Sequence, residues 1–149
     1  MGRKVWTKDE FLNKYKELRN QGLSEKEIVK EFDMNYSDFR NLLIYFTGLS
    51  DDECANKIIE RLKKIINEVG AMYINKKLWA PVDPMNALGI AVAVLKNEGY
   101  REWFVRIGKS EEKKKVYRML ASPKFSDADI FDFVKKTGQI VTDDIWFFA

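Results

Sequence analysis

An α+β fold is expected from three features of this 149-residue chain. Four successive stretches between residues 7 and 69 repeat apolar side chains at helical spacing. Residues 100–107 and 113–120 alternate apolar and polar side chains on either side of a basic loop, the pattern of a β-hairpin. Two prolines, Pro81 and Pro84, fall between these halves and disfavour helix there. The expected organisation is a three-helix unit over 1–49, a connecting helix over 50–79, and a small α+β domain with a basic hairpin over 80–149.

The spacing predicts a first helix over 7–20. Thr7 is its cap and Glu10 holds the capping-box position. Phe11, Tyr15 and Leu18 form one stripe. Gly22 suits the residue just past the end, and Trp6 is placed to staple onto the helix. The next stretch, 23–46, reads as two short helices joined by a tight turn. Ser24 and Glu27 make a capping box, and Ile28 and Phe32 share a face. The break comes at Asp33-Met34-Asn35. Phe39, Leu42, Leu43 and Phe46 then resume a helical series. Two such helices cannot bury their own apolar faces, so the first helix is required to cover them.

This layout resembles the helix-turn-helix family of phage and bacterial DNA-binding proteins, over residues 7–47. Ile28, Val29 and Phe32 match in the first helix of the motif, Met34 in the turn, and Phe39 and Leu42 in the second helix. The family has a small residue where Val29 stands and Gly where Asp33 stands. Asp tolerates a left-handed turn better than most residues. The alternative is an ordinary helical hairpin.

A fourth helix follows Gly48, with Ser50 as cap. Ile58, Leu62, Ile65, Ile66 and Val69 form its apolar stripe. It either bridges the two halves or forms a dimer seam, and the absence of sustained heptads favours bridging. Gly70 bends or ends it, though Met72, Tyr73 and Ile74 are apolar enough to prolong it. Asp83-Pro84 is a good helix start. Residues 85–97 are apolar nearly all round, so that helix should be buried on most sides until Gly99 stops it. The hairpin follows, with Pro123 at its end. Ser126 caps a helix over 127–136, Gly138 closes it, and 139–142 is a candidate third strand. The apolar end, 143–149, is expected to tuck into a core or a subunit contact. Residues 85–142 also resemble, loosely, a small module of larger phage DNA-metabolism proteins. The shared features are the Glu98-Gly99-Tyr100 turn, the hairpin, and Leu120-Ala121-Ser122-Pro123. That likeness implies a phage-type accessory role and assigns no activity.

Composition narrows the function. The chain has no histidine, which removes imidazole-based nucleophilic, acid–base and zinc chemistry. Carboxylate–magnesium chemistry stays possible at Asp51-Asp52-Glu53, at Asp127/Asp129/Asp132 or at Asp143-Asp144. Acids at a helix start also simply stabilise it. Cys54 is the single cysteine, and it excludes an internal disulfide framework. The chain contains no apolar run long enough for a membrane span and no secretory signal, so a cytoplasmic protein is expected.

Net charge is only +3, but residues 101–124 carry eight basic side chains against three acidic. The positive field is therefore local. The expected DNA-binding residues are of two kinds. Asn35, Tyr36, Ser37, Arg40 and Asn41 open the second helix of the motif, with Asp38 expected among the exposed positions there. In this docking mode such residues meet base edges, Arg pairing with guanine and Asn with adenine. Lys109, Lys113, Lys114 and Lys115 sit at the hairpin tip, where they could track phosphates. The expectation is a non-enzymatic, cofactor-free protein that binds double-stranded DNA. The alternatives are a protein–protein interaction factor, such as a phage protein that binds a host protein, and a nucleic-acid-processing subunit detached from its catalytic domain. A protein partner or a homodimer remains open under either alternative.

Overall fold

The computed structural model describes residues 4–48, 52–74, 87–107, 115–137 and 147–148. The fold is α+β. Helix α1 spans Lys8–Asn20, with the Thr7 side chain accepting from the Glu10 amide. Helix α2 spans Glu25–Glu31, and both bonds of the Ser24–Glu27 capping box form. Asp33 then takes a left-handed conformation, φ 52°, and reverses the chain. Helix α3 spans Tyr36–Thr47 and ends on Gly48, also left-handed at φ 71°.

These helices close on an aromatic cluster. Phe11, Ile28, Phe32, Phe39 and Leu42 are almost fully buried. The Phe11 ring lies 4.6 Å from Phe32 and 5.6 Å from Phe39. Trp6 caps the cluster, 4.9 Å from Phe32 and edge-on to Phe11. The staple expected from sequence therefore forms, and it reaches two helices rather than one.

Helix α4 spans Asp52–Val69 and buries Ile58, Ile59, Leu62 and Ile66. The extension through Met72–Ile74 does not occur. Gly70 bonds back to Ile66 O at 2.7 Å and then takes φ 108°. Ala71–Ile74 instead forms strand β1. Helix α5 spans Ala87–Asn97 and buries nine of its eleven residues. Strands β2, Arg101–Ile107, and β3, Lys115–Ala121, form the expected hairpin. Helix α6 spans Asp127–Thr137, with Ser126 Oγ accepting from the Asp129 amide. Strand β4 is Phe147–Phe148.

The sheet has the order β2-β3-β1-β4, and every neighbouring pair is antiparallel. Met72 opposes Leu120, and both join the core beneath α4 and α5. Ala71, Met119 and Ala121, on the other face by register, are also fully buried. Both faces of the sheet centre are thus covered. The apolar terminus enters the fold through backbone pairing, Phe148 with Ala71 and Phe147 with Met72. The strand expected over 139–142, the Ser50 and Asp83-Pro84 helix starts, and Asp143-Asp144 lie outside the described residues.

Helix α5 is shared by two cores. Leu88, Ile90, Ala91, Val92 and Leu95 pack with α4 and the sheet, while Ala93 packs into the aromatic cluster of the N-terminal helices. Asn97 adds a polar tie: its Oδ1 accepts from the Trp6 amide at 3.0 Å, and its Nδ2 donates to Trp6 O at 2.9 Å.

Candidate nucleic-acid interface

Asn35 caps α3, and that sets its role. Its Oδ1 accepts from the Asp38 amide at 2.8 Å, and its Nδ2 donates to Asp38 Oδ2 at 3.1 Å. The side chain is thus engaged in fixing the helix start. Tyr36, Ser37 and Arg40 follow on the open edge, and Tyr36 is 53% exposed. Tyr36 and Arg40 stand one turn apart on the same face. Glu25, the first residue of α2, reaches both. Its Oε2 accepts from the Tyr36 hydroxyl at 3.4 Å, and its Oε1 accepts from Arg40 Nη1 at 3.3 Å.

Asn41 is placed differently. It is half-buried, and its Nδ2 lies 3.5 Å from where a Cβ on Gly89 of α5 would sit. It faces α5, away from the edge that carries Tyr36 and Arg40. Ile44 and Tyr45 on the next turn pack against the core of α4 and α5. The Tyr45 hydroxyl donates to Asn56 Oδ1 at 2.6 Å.

Asp38 is not an exposed position. It is 5% exposed, and its Oδ2 pairs with Lys96 Nζ at 2.6 Å. Sequence proximity makes Asp38 the counter-charge of Arg40, but Glu25 takes that place. Lys96 Nζ also meets Glu102 Oε1 at 3.1 Å, and Glu102 in turn pairs with Arg118. Four charges therefore run in a line from the first turn of α3, through the end of α5, to the middle of the sheet. Burial works to raise the Glu102 carboxyl. Arg118 and Lys96 together outweigh that and hold it below the usual carboxylate range. Beside this line lies a half-open cavity of about 150 Å³, bordered by Trp6, Phe32, Met34, Asp38 and Lys96 among others.

Of the hairpin lysines, Lys115 is the first residue of β3, opposite Ile107. It therefore stands at the base of the loop. Lys109, Lys113 and Lys114 lie outside the described residues. The β2–β3 register runs unbroken from Arg101 opposite Ala121 to Ile107 opposite Lys115, so it sets where the basic loop begins and ends. The N-terminal helices supply no net field of their own, because residues 4–48 contain as many acidic as basic side chains.

Sequence reasoning missed Glu25 and Lys96. Neither carries a local signal. Glu25 lies fifteen residues before Arg40, and Lys96 reads as the ordinary polar end of an apolar helix. Among the described residues no group of three or more His, Cys, Asp or Glu side chains is placed to hold a metal ion, and no helix is long and apolar enough to cross a membrane. Comparison with protein-family models, curated proteins and solved structures finds no match to the chain.

Proposed function

We propose that the chain is a non-enzymatic, cytoplasmic helix-turn-helix protein that binds double-stranded DNA, as a regulatory or accessory factor of phage-type DNA metabolism. One observation carries the reading. The left-handed turn at Asp33 sets α3 so that Tyr36, Ser37 and Arg40, at its N-terminal end, stay exposed. That end of the second helix is the part that meets base edges in this docking mode. Arg40 supplies a fork for guanine, and the hairpin lysines supply the phosphate contacts that the neutral N-terminal helices lack.

The test is a mobility shift on random and selected duplexes at two salt concentrations, with wild type and Arg40→Ala. Arg40→Ala is expected to cost about 1–3 kcal/mol on the preferred site and to leave the melting temperature unchanged. Equal binding by the variant removes α3 from the interface. A second reading, a protein–protein interaction factor, has its own support. Asn41, Ile44 and Tyr45 are turned toward α5 and α4, so one edge of α3 alone is open. Wild-type protein with no salt-dependent duplex binding would favour it.

A further inference from the structure

We propose that Glu25 is a specificity-determining residue, which withholds Arg40 from DNA phosphates while leaving it free to read a base. The proposal rests on the DNA-binding reading above. Glu25 divides one carboxylate between two residues of α3, an oxygen to Tyr36 and an oxygen to Arg40. Its backbone is held by the capping box on either side of it, Ser24 and Glu27. Its side chain is about a third exposed and that of Arg40 about half, so the pair sits at the surface that DNA would approach.

The contact uses a single guanidinium nitrogen, Nη1. A guanidinium has five N–H donors, and those on Nε and Nη2 form a second edge. Guanine and phosphate both offer paired acceptors to such an edge. They differ in charge. Arg40 and Glu25 together are neutral, so a phosphate gains little from the pair and meets a carboxylate of its own sign. The acceptors of guanine carry no full charge and meet no such repulsion. Glu25 therefore subtracts the sequence-independent part of Arg40's affinity and keeps the base-reading part. That raises discrimination by penalising the wrong contact.

The experiment compares wild type, E25Q and the E25Q/R40A double variant. Each is titrated on a random duplex and on the duplex that wild type enriches from a random pool, over a range of salt. E25Q keeps the shape and loses the charge. It is expected to bind random duplex more tightly, with a log-affinity against log-salt slope steeper by up to about 0.9, one added phosphate contact. Affinity for the enriched site should change far less, so the ratio of the two falls by about fivefold or more. The gain on random duplex should vanish in E25Q/R40A. E25A serves as a second variant with the same expectation, and melting curves check that each protein is folded. A wild-type slope and ratio in E25Q overturn the role of Glu25, as does a gain that survives removal of Arg40. In both cases the DNA-binding reading stands. A wild type that shows no salt-dependent duplex binding overturns both together.

Discussion

Lys96 stands between two carboxylates, Asp38 and Glu102, with its own side chain only 10% exposed. An ammonium in such a place is expensive to desolvate, and its value to the fold depends on keeping its partners. Lys96→Met removes the cation that both acids share. It is expected to cost about 3–5 kcal/mol in urea unfolding. A loss under about 1 kcal/mol would mean the line of charges contributes little. Glu102 adds a pH signature. Its folded carboxyl titrates below 4.5, the ordinary value, so the unfolded chain takes up protons first as pH falls. The stabilisation is complete above that value and drains as pH drops through the depressed folded one. Glu102→Gln should therefore flatten the acid side of a plot of urea midpoint against pH, and an unchanged acid side would refute this. Read from the sequence, Asp38 is an exposed acid in the same turn as Arg40, although residues two apart on a helix point to opposite sides. The choice between solvent and Lys96 is made by α5, 58 residues along the chain from Asp38 and invisible to a local reading.

At the scale of elements, what was legible was local. Ser24 and Glu27 are three residues apart, and the capping box they imply forms as read. The β2–β3 hairpin also follows from its own alternation. Strand β1 was not legible, because Ala71–Ile74 is short and apolar and continues a helical stripe equally well. Its state is decided by pairing with Arg118–Ala121, nearly fifty residues on, and by Gly70. Gly89 gives a test of α5. It lies inside a helix, and an added methyl would meet Asn41 Nδ2 at 3.5 Å, an ordinary contact. Gly89→Ala is expected to stabilise the protein by up to about 1 kcal/mol, a rise of about 2–4 °C in Tm. A fall would show that the α3–α5 contact at Asn41 has no room for the methyl group. For the hairpin, replacing Lys109, Lys113, Lys114 and Lys115 with Ser should weaken binding to every duplex by a similar factor. The salt slope should become shallower by up to about 3–4, with sequence preference retained. An unchanged slope in a folded quadruple variant would take the hairpin out of the proposed interface.

For the molecule as a whole, α5 decides how the parts cohere. The sequence shows that 85–97 must be buried but not by what, since an all-round apolar helix names no partner. In the structure its neighbours are α3 and α4, it shares a core with Met72 and Leu120 of the sheet, and it lends Ala93 to the other core. The two cores are therefore expected to melt together. Urea unfolding of a variant with Trp79, Trp103 and Trp146 replaced by Phe, so that Trp6 alone emits and reports from one core, followed by that emission and by far-UV circular dichroism, should give superimposable curves. A separate early transition of the N-terminal helices would contradict this. Leu62, fully buried between α4 and its neighbours, should cost about 2–5 kcal/mol when cut to Ala. The loss should appear in both signals at once.

The bond pair between Trp6 and Asn97 spans 91 residues, and it has a consequence for the order in which the protein is made. On the ribosome α1, α2 and α3 emerge well before the residues that complete their core. Their caps and turn need nothing further along the chain, so these helices can form early. The Trp6 backbone cannot make its two bonds to Asn97, and the place of Ala93 stays empty, until α5 has left the exit tunnel. Contacts of such long separation slow folding and leave the aromatic cluster incompletely covered in the meantime. Nascent chains stalled at increasing lengths are expected to gain protease protection over residues 6–46 only after Asn97 has emerged.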